Sequence, residues 1–324
     1  MKLPRRQFLH LAAGAALPAV SRVAGAQAYP TRPVRVMVGF APGQAIDIVT
    51  RIIGQRLSER LGQQFIIENR PGAGGNIATE VVARAPADGY TLLAIGSNNM
   101  INPTLYQNLN YDFIRDIAPV ASVYRVPQVM EVNPSFPAKT VPEFIAYAKA
   151  HPGEISFASA GNGSVAHVTG ELFKMMTGVN MLHVPYRGAP PALTDLIAGQ
   201  VHVMFDNMPS SIEHIRAGRL RPLAVTATTR LEALPDVPPV GDFVPGFETS
   251  AWAGIGAPKN TPAEIIDTLN REINAVLAEP AIRTRVADLG GEVLALSPSE
   301  YTRRIAEETD KWAKVIKFSG AKAE

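Results

Sequence analysis

The chain has 324 residues, 46% apolar and 19% charged, enough hydrophobic side chains to bury a sizeable core as one large domain or two modest lobes. Its 31 basic residues are dispersed among 29 acidic ones for a formal charge of +2, so the basic footprint of a nucleic-acid-binding protein is missing and neither DNA nor RNA is expected as a partner. Cysteine is absent, which excludes disulfides, thiolate nucleophiles, cysteine-ligated metal sites and a lipidated N-terminal cysteine.

The chain opens on Pro4-Arg5-Arg6-Gln7-Phe8-Leu9, paired arginines ahead of a mildly apolar stretch from Leu11 to Val20 and the small residues Ala24-Gly25-Ala26-Gln27-Ala28. This pattern reads as a twin-arginine export signal over residues 1–28, cleaved after Ala26 or Ala28 to leave a periplasmic chain starting near Tyr29. The apolar stretch is about half of the roughly 20 residues that span a bilayer, and Gly14 and Pro18 interrupt it, so direct membrane insertion is not expected.

Runs rich in β-branched residues then alternate with helical patterns: Val34 to Phe40, Phe65 to Glu68, Tyr90 to Ile95, Ile155 to Ala158, Met181 to Val184, Val201 to Phe205 and Leu220 to Thr226. The alternation predicts an α/β architecture with largely parallel sheets. Val49, Ile52, Ile53, Leu57 and Leu61 repeat at helical spacing between the first two strands and lay one apolar face on the sheet. Val129 to Val132 and Ala251 to Ile255, bounded by Pro127, Pro134, Gly246 and Pro258, read as short extended crossings between two sets of βα units. They predict a first lobe of residues 29–127 plus 247–324 and a second lobe of residues 128–246. Thr261-Pro262-Ala263-Glu264 reads as a capping box opening a helix that Pro280 stops. Ser297-Pro298-Ser299-Glu300 opens the last helix, where Tyr301, Ile305, Glu308, Trp312 and Ile316 share one face and predict a core contact.

In such folds ligands collect at the carboxyl ends of the strands. Four turns there are small and polar: Phe40-Ala41-Pro42-Gly43-Gln44-Ala45-Ile46-Asp47, Arg70 to Asn76 with Gly75, Gly96-Ser97-Asn98-Asn99-Met100, and Ala158-Ser159-Ala160-Gly161-Asn162-Gly163-Ser164. Glycine permits positive φ and close approach, and a helix that starts at such a turn aims unpaired N–H groups and a positive partial charge outward, an anion-binding arrangement. A tight turn needs the same residues for geometry alone; four of them at corresponding ends favour a site. Enzyme signatures are weak. Gly161-Asn162-Gly163-Ser164-Val165-Ala166 satisfies G-x-G-x-x-A, but no acid follows at the ribose-binding distance. Ser164 and His167 lack the G-x-S-x-G elbow, and the six histidines show no metal-ligand spacing, so no catalytic residue, metal or cofactor is assigned.

With these turns in view, the chain resembles the Bug family, the periplasmic substrate-binding receptors of tripartite tricarboxylate transporters. The resemblance is carried by Tyr29-Pro30-Thr31-Arg32-Pro33, the Pro42-Gly43 to Asp47 turn, Glu68-Asn69-Arg70-Pro71-Gly72-Ala73-Gly74-Gly75-Asn76, Asp88-Gly89-Tyr90-Thr91-Leu92 and Ile101-Asn102-Pro103-Thr104-Leu105-Tyr106. It continues through Ser159 to Ser164, His167, Val184-Pro185-Tyr186-Arg187-Gly188, Ala192 to Leu196 and Gly199-Gln200-Val201 to Phe205-Asp206. It implies a two-lobed Venus-flytrap receptor without catalysis, each lobe a mostly parallel sheet flanked by helices. It further implies a small organic acid in the interlobe cleft, delivery to an integral membrane permease, and a monomer. The implied ligand contacts are Phe40, Ala41, Pro42, Gly43, Gln44, Asp47, Gly75, Asn76, Ser97 and Asn98 in the first lobe, with Ser159, Gly161, Asn162, Gly163, Ser164, His167, Tyr186, Arg187 and Asp206 in the second. Gln44-Ala45-Ile46 departs from the glycine- and threonine-rich family turn, and Arg125 and Glu131 are also unusual; an Arg125–Glu131 ion pair is expected over an Arg125 contact to ligand. A sensor that signals to a kinase shares every one of these residues, and an α/β enzyme acting on a small acid is the remaining alternative.

Overall fold

The computed structural model describes residues 29–323; the expected export signal, residues 1–28, lies outside them. The first elements in chain order are β1 (Val34–Val38), α1 (Ala45–Leu61), β2 (Phe65–Asn69), α2 (Asn76–Ala83), β3 (Thr91–Gly96), α3 (Asn98–Leu105) and the one-turn α4 (Phe113–Asp116). They lead into the 16-residue β4 (Ile117–Val132). Next come α5 (Val141–Ala150), β5 (Ile155–Ser159), α6 (Val165–Thr177), β6 (Met181–Pro185), α7 (Ala189–Ile197), β7 (Val203–Asn207), α8 (Met208–Arg216) and β8 (Arg221–Val225). The chain closes with β9 (Ser250–Pro258), α9 (Ala263–Leu277), α10 (Pro280–Asp288), β10 (Glu292–Val293) and α11 (Pro298–Ser319).

The strands run β2-β1-β3-β9-β4-β7-β5-β6, and β8 and β10 also pair with β4. β4 belongs to both halves of this order. Its Ile117 to Pro127 stretch pairs with β9, and its Gln128 to Val132 stretch pairs with β7. The expected crossings are therefore not short isolated runs but the middle of β4 and the start of β9, which lie side by side where Val126 pairs with Ala251 and Pro127 with Ser250. The expected parallel units are present on either side of this connection, which adds antiparallel pairs and makes the sheet mixed. β1 is parallel to β2 and β3, and β5 is parallel to β6 and β7, as crossover helices require. Every pairing made by β4 and β9 is antiparallel, because both strands carry the chain from one half to the other in opposite directions.

Gln128 fastens this waist. Its side chain is fully buried. The amide nitrogen donates to Phe205 O at 2.9 Å, and the amide oxygen accepts from Thr169 Oγ1 at 2.6 Å and Thr249 Oγ1 at 3.3 Å. One amide thus links β4, β7, α6 and the entry to β9, and a buried polar group so satisfied fixes where the strand crosses.

In α1, Val49, Ile53 and Leu57 are buried at four-residue spacing, and Gly62 ends the helix at φ 69°. α9 starts without a capping box: Thr261 Oγ1 donates to Pro258 O, so its hydroxyl is turned back toward the strand and the helix begins at Ala263. Pro280 does not terminate α9, which stops at Leu277, but opens α10 at its first turn. The Ser297–Glu300 capping box on α11 is present. Tyr301, Ile305, Glu308, Trp312 and Ile316 are all buried along that helix, as its periodicity predicts. All but Glu308 join a hydrophobic cluster that takes Ile95, Ile101 and Leu105 from the first half and Phe144, Phe157, Phe173 and Phe205 from the second, so α11 completes the core on both sides of the waist.

Candidate functional site

A cleft of about 580 Å³ opens between the two halves, at the carboxyl ends of the parallel strands. From the first half it takes Phe40, Gln44, Ala45 and Ile46 at the start of α1, with Gly96, Ser97 and Asn98 at the start of α3. From the second half come Ala160, Asn162, Ser164, Val165 and Ala166 at the start of α6, Gly188 to Pro190 at the start of α7, and Asp206 and Asn207 ahead of α8. Tyr124, Ala251 and Trp252 from the two crossing strands form its back wall. Five helices thus present their N-terminal ends to one space, each with unpaired N–H groups and a positive partial charge. Among the described residues lining it there is no lysine, arginine or histidine, and Asp206 is the only acid. An anion here is met by backbone and neutral side-chain donors, with the apolar faces of Phe40, Ile46 and Trp252 between the two ends.

Phe40, Gln44, Ser97, Asn98, Asn162, Ser164 and Asp206 are thus expected site residues that the fold brings into the cleft lining. Several others stand just behind it and shape it. Asp47 is almost completely buried. Its carboxylate accepts from Gly43 N at 2.9 Å, Asn69 Nδ2 at 2.8 Å and the Arg51 guanidinium at 3.0 Å, while Asn69 also donates to Phe40 O. Burial acts to raise the Asp47 pKa, but these donors outweigh it and hold the group below the usual aspartate range. Asp47 therefore clamps the turn that carries Ala41, Pro42 and Gly43, which are exposed at its tip. Gly75 and Asn76 also lie behind the lining. A β-carbon on Gly39 would sit 2.6 Å from Gly75 Cα, so that glycine turn lets two backbones meet beneath Phe40. The Asn76 side chain accepts from Asn102 Nδ2 at 2.8 Å and from Tyr111 OH at 2.7 Å, inside its own half.

The turn before α6 is shaped by two histidines. His167 and His183 stack with ring centroids 3.9 Å apart and planes at 8°. His167 Nδ1 accepts from Gly163 N at 3.0 Å, which places the proton of the neutral ring on Nε2. His183 Nε2 lies 2.7 Å from Ser159 Oγ, and that hydroxyl also meets the backbone of Gly161. Burial, with Lys174 nearby, pushes His167 down to about 4; burial, His167 and Lys174 push His183 to about 3. Both rings are neutral acceptors or donors in the turn's frame. Ser164 Oγ accepts from His167 N and caps α6. Tyr186 N donates to Ser159 O, its hydroxyl donates to Asp195, and Arg187 is exposed outside the lining.

Arg125 does not pair with Glu131, contrary to expectation. It meets Glu292 at 3.0 Å and Glu248 at 3.6 Å outside the cleft, because its register on β4 opposes β10. Trp252, the largest lining residue missed from sequence, is set by β9 pairing: its backbone N donates to Ser97 Oγ at 2.7 Å, and the Arg304 guanidinium lies 4.4 Å over its ring. The Gly188 to Pro190 turn was missed because it lacks the dense glycine pattern of the other turns.

Comparison with known proteins adds an independent line. The sequence profile of the family described as "Tripartite tricarboxylate transporter family receptor" matches residues 49–321. The chain is 38% identical over 300 residues to Protein BugT of Bordetella pertussis, covering 92% of each chain. Among solved structures, it is similar to Rpa4515 of R. palustris with adipate, at 40% identity and TM-score 0.77, covering 90% of this chain and 98% of the other. MatC of Rhodopseudomonas palustris with bound malate matches at 34% identity and TM-score 0.75, covering 89% and 100%.

Proposed function

The chain belongs to the receptors of the tripartite tricarboxylate transporters, and from that premise we propose that its cleft captures a small organic carboxylate in the periplasm and presents it to the membrane permease. The observation that carries this reading is the convergence of five helix N-terminal ends on a cleft whose described lining contains no cationic side chain. Such a site binds a carboxylate without pairing it to an ion. A lining of helix ends and neutral side-chain donors supports the reading of a binding site. The relatives described with adipate and with malate supply the first probes.

The same reading assigns residues 29–127 and 247–323 to one lobe and 128–246 to the other, hinged where Val126 to Gln128 passes Thr249 to Ala251. Closure then brings the two groups of helix ends onto one ligand. Export through the twin-arginine route rests on Arg5 and Arg6. Among the described residues no helix is long and apolar enough to cross a membrane. The protein is expected to work as a monomer.

The test is a thermal-shift and calorimetry panel of dicarboxylates, hydroxy acids, amino acids and aromatic acids beside their amides. A carboxylate at 100 times its dissociation constant is expected to add about 2.7 kcal/mol and raise the melting temperature by a few degrees. An amide brings donors toward donors and is expected to bind far more weakly. Equal binding of acid and amide, or consumption of any acid, rejects the receptor reading.

A further inference from the structure

Asp206, only 2% exposed, lines the floor of the cleft from β7, and behind it lies a second carboxyl. Glu131 on β4 is fully buried, two residues along the strand from Val129, which pairs with Asp206. Between the two acids stands Ser211, in the first turn of α8. Its Oγ is 2.6 Å from Glu131 Oε1 and 3.1 Å from Asp206 Oδ2, and Ser210 Oγ donates to that same Asp206 oxygen.

Donor accounting fixes the protonation of this group. The Ser211 hydroxyl has one proton and cannot satisfy two carboxylates. Two ionised acids here would also repel each other away from water. Burial raises the Asp206 pKa, but Ser210, Ser211 and the Asn207 backbone N–H oppose that rise, whereas burial and the Asp206 charge together push Glu131 well above the ordinary glutamate range against Ser211 alone, so Glu131 is the more readily neutralised of the two. One proton therefore resides on Glu131. Glu131 then donates to Ser211, and Ser211 donates to Asp206. Glu131 Oε2 has no partner among the described residues, a position that a carbonyl oxygen tolerates far better than a carboxylate oxygen.

We propose that the relay Glu131, Ser211, Asp206 fixes Asp206 as an anionic acceptor, so that the second-lobe end of the cleft selects acids carrying a hydrogen-bond donor there: a hydroxyl, an ammonium or an un-ionised carboxyl. Asp206 touches the ligand, and Glu131 is a positioning residue acting through Ser211. The remaining carboxylate of such a ligand goes to the helix ends, because beside Asp206 it would meet like charge. This inference rests on the receptor reading and narrows its ligand class.

Calorimetry on the full mature protein with matched acids tests it: lactate and propionate, malate and succinate, 2-hydroxyadipate and adipate. For the pair that binds, the donor-bearing member is expected to bind at least about tenfold more tightly. Asp206→Asn is expected to erase that ratio. Glu131→Leu is expected to lower the ratio by about threefold or more, and Glu131→Gln, whose amide donates to Ser211, to restore it. Loss of fold in Glu131→Leu, read by circular dichroism, leaves Asp206→Asn and Glu131→Gln to decide. A ratio near one in the unaltered protein, or a ratio that survives Asp206→Asn, overturns the proposal and leaves the receptor reading standing. If no acid in any pair binds, the receptor reading itself fails.

Discussion

Leu105 and Gly163 meet where the two halves approach each other: a β-carbon added at Gly163 would clash with Leu105 Cδ2. Leu105 ends α3 in the first half of the fold, and Gly163, at φ 75°, stands in the turn before α6 in the second half. The glycine thus serves two demands at once, a left-handed backbone and an approach between lobes.

Gly163→Val is expected to keep the fold and lower ligand affinity by about tenfold or more, since the new side chain strains the turn and wedges the lobes apart. Adding Leu105→Ala is expected to recover part of that loss. Calorimetry on the single and double variants separates the wedge from the strained turn: no recovery means that the contact between lobes is irrelevant to binding.

Salt is expected to matter little. Binding through helix ends and neutral donors, with no cationic side chain in the described lining, leaves few mobile charges to screen. Raising NaCl from about 0.05 to about 0.5 M is expected to change the dissociation constant by less than about threefold. A steep decline would reveal an ion pair in the bound complex and contradict the described lining.

The stacked histidines make acid unfavourable. Both are neutral in the fold, with pKa values near 4 for His167 and near 3 for His183 against an ordinary 6.5. The unfolded chain therefore binds more protons than the folded one between those limits, and stability is full above about 6.5 and falls as pH drops toward 4 and then 3. His167→Gln and His183→Gln are each expected to flatten that fall in urea melts taken across the window. An unchanged acid slope in both variants would show that other groups set it.

Gln128→Ala is expected to destabilise the protein by about 2–4 kcal/mol, because it strands Phe205 O and the Thr169 hydroxyl in the buried waist. Urea denaturation measures this directly. A change below about 0.5 kcal/mol would show that water or a rearranged threonine replaces the amide.

Local signals in the sequence were legible and distant ones were not. The Ser297 box appears as read because its partner Glu300 lies three residues away on the same turn. The Thr261 box has the same spelling, but Pro258 O captures the threonine hydroxyl, a competition decided by where β9 ends. The strands of the parallel units begin close to where β-branched runs place them. β4 and β9 were read only in fragments, because Pro119, Pro127, Gly254 and Gly256 interrupt sequences that antiparallel pairing joins. The turn at Gly75 resembles a ligand loop in composition, and only the fold shows that Gly75 also meets the Gly39 backbone. Trp252 shows the opposite case: nothing local marks it, and only register against β3 and β4 brings it to the cleft.

The position of α11 in the chain has a consequence for biogenesis. Trp312, Val315 and Ile316 pack with residues from both halves of the fold, yet every other described element precedes them in synthesis. Apolar surface on each lobe therefore remains uncovered while the nascent chain still lacks its last helix, and the contacts that cover it span most of the sequence. Until α11 is made, the core that it shares with both halves stays open, and protection from aggregation falls to whatever holds the unfinished chain.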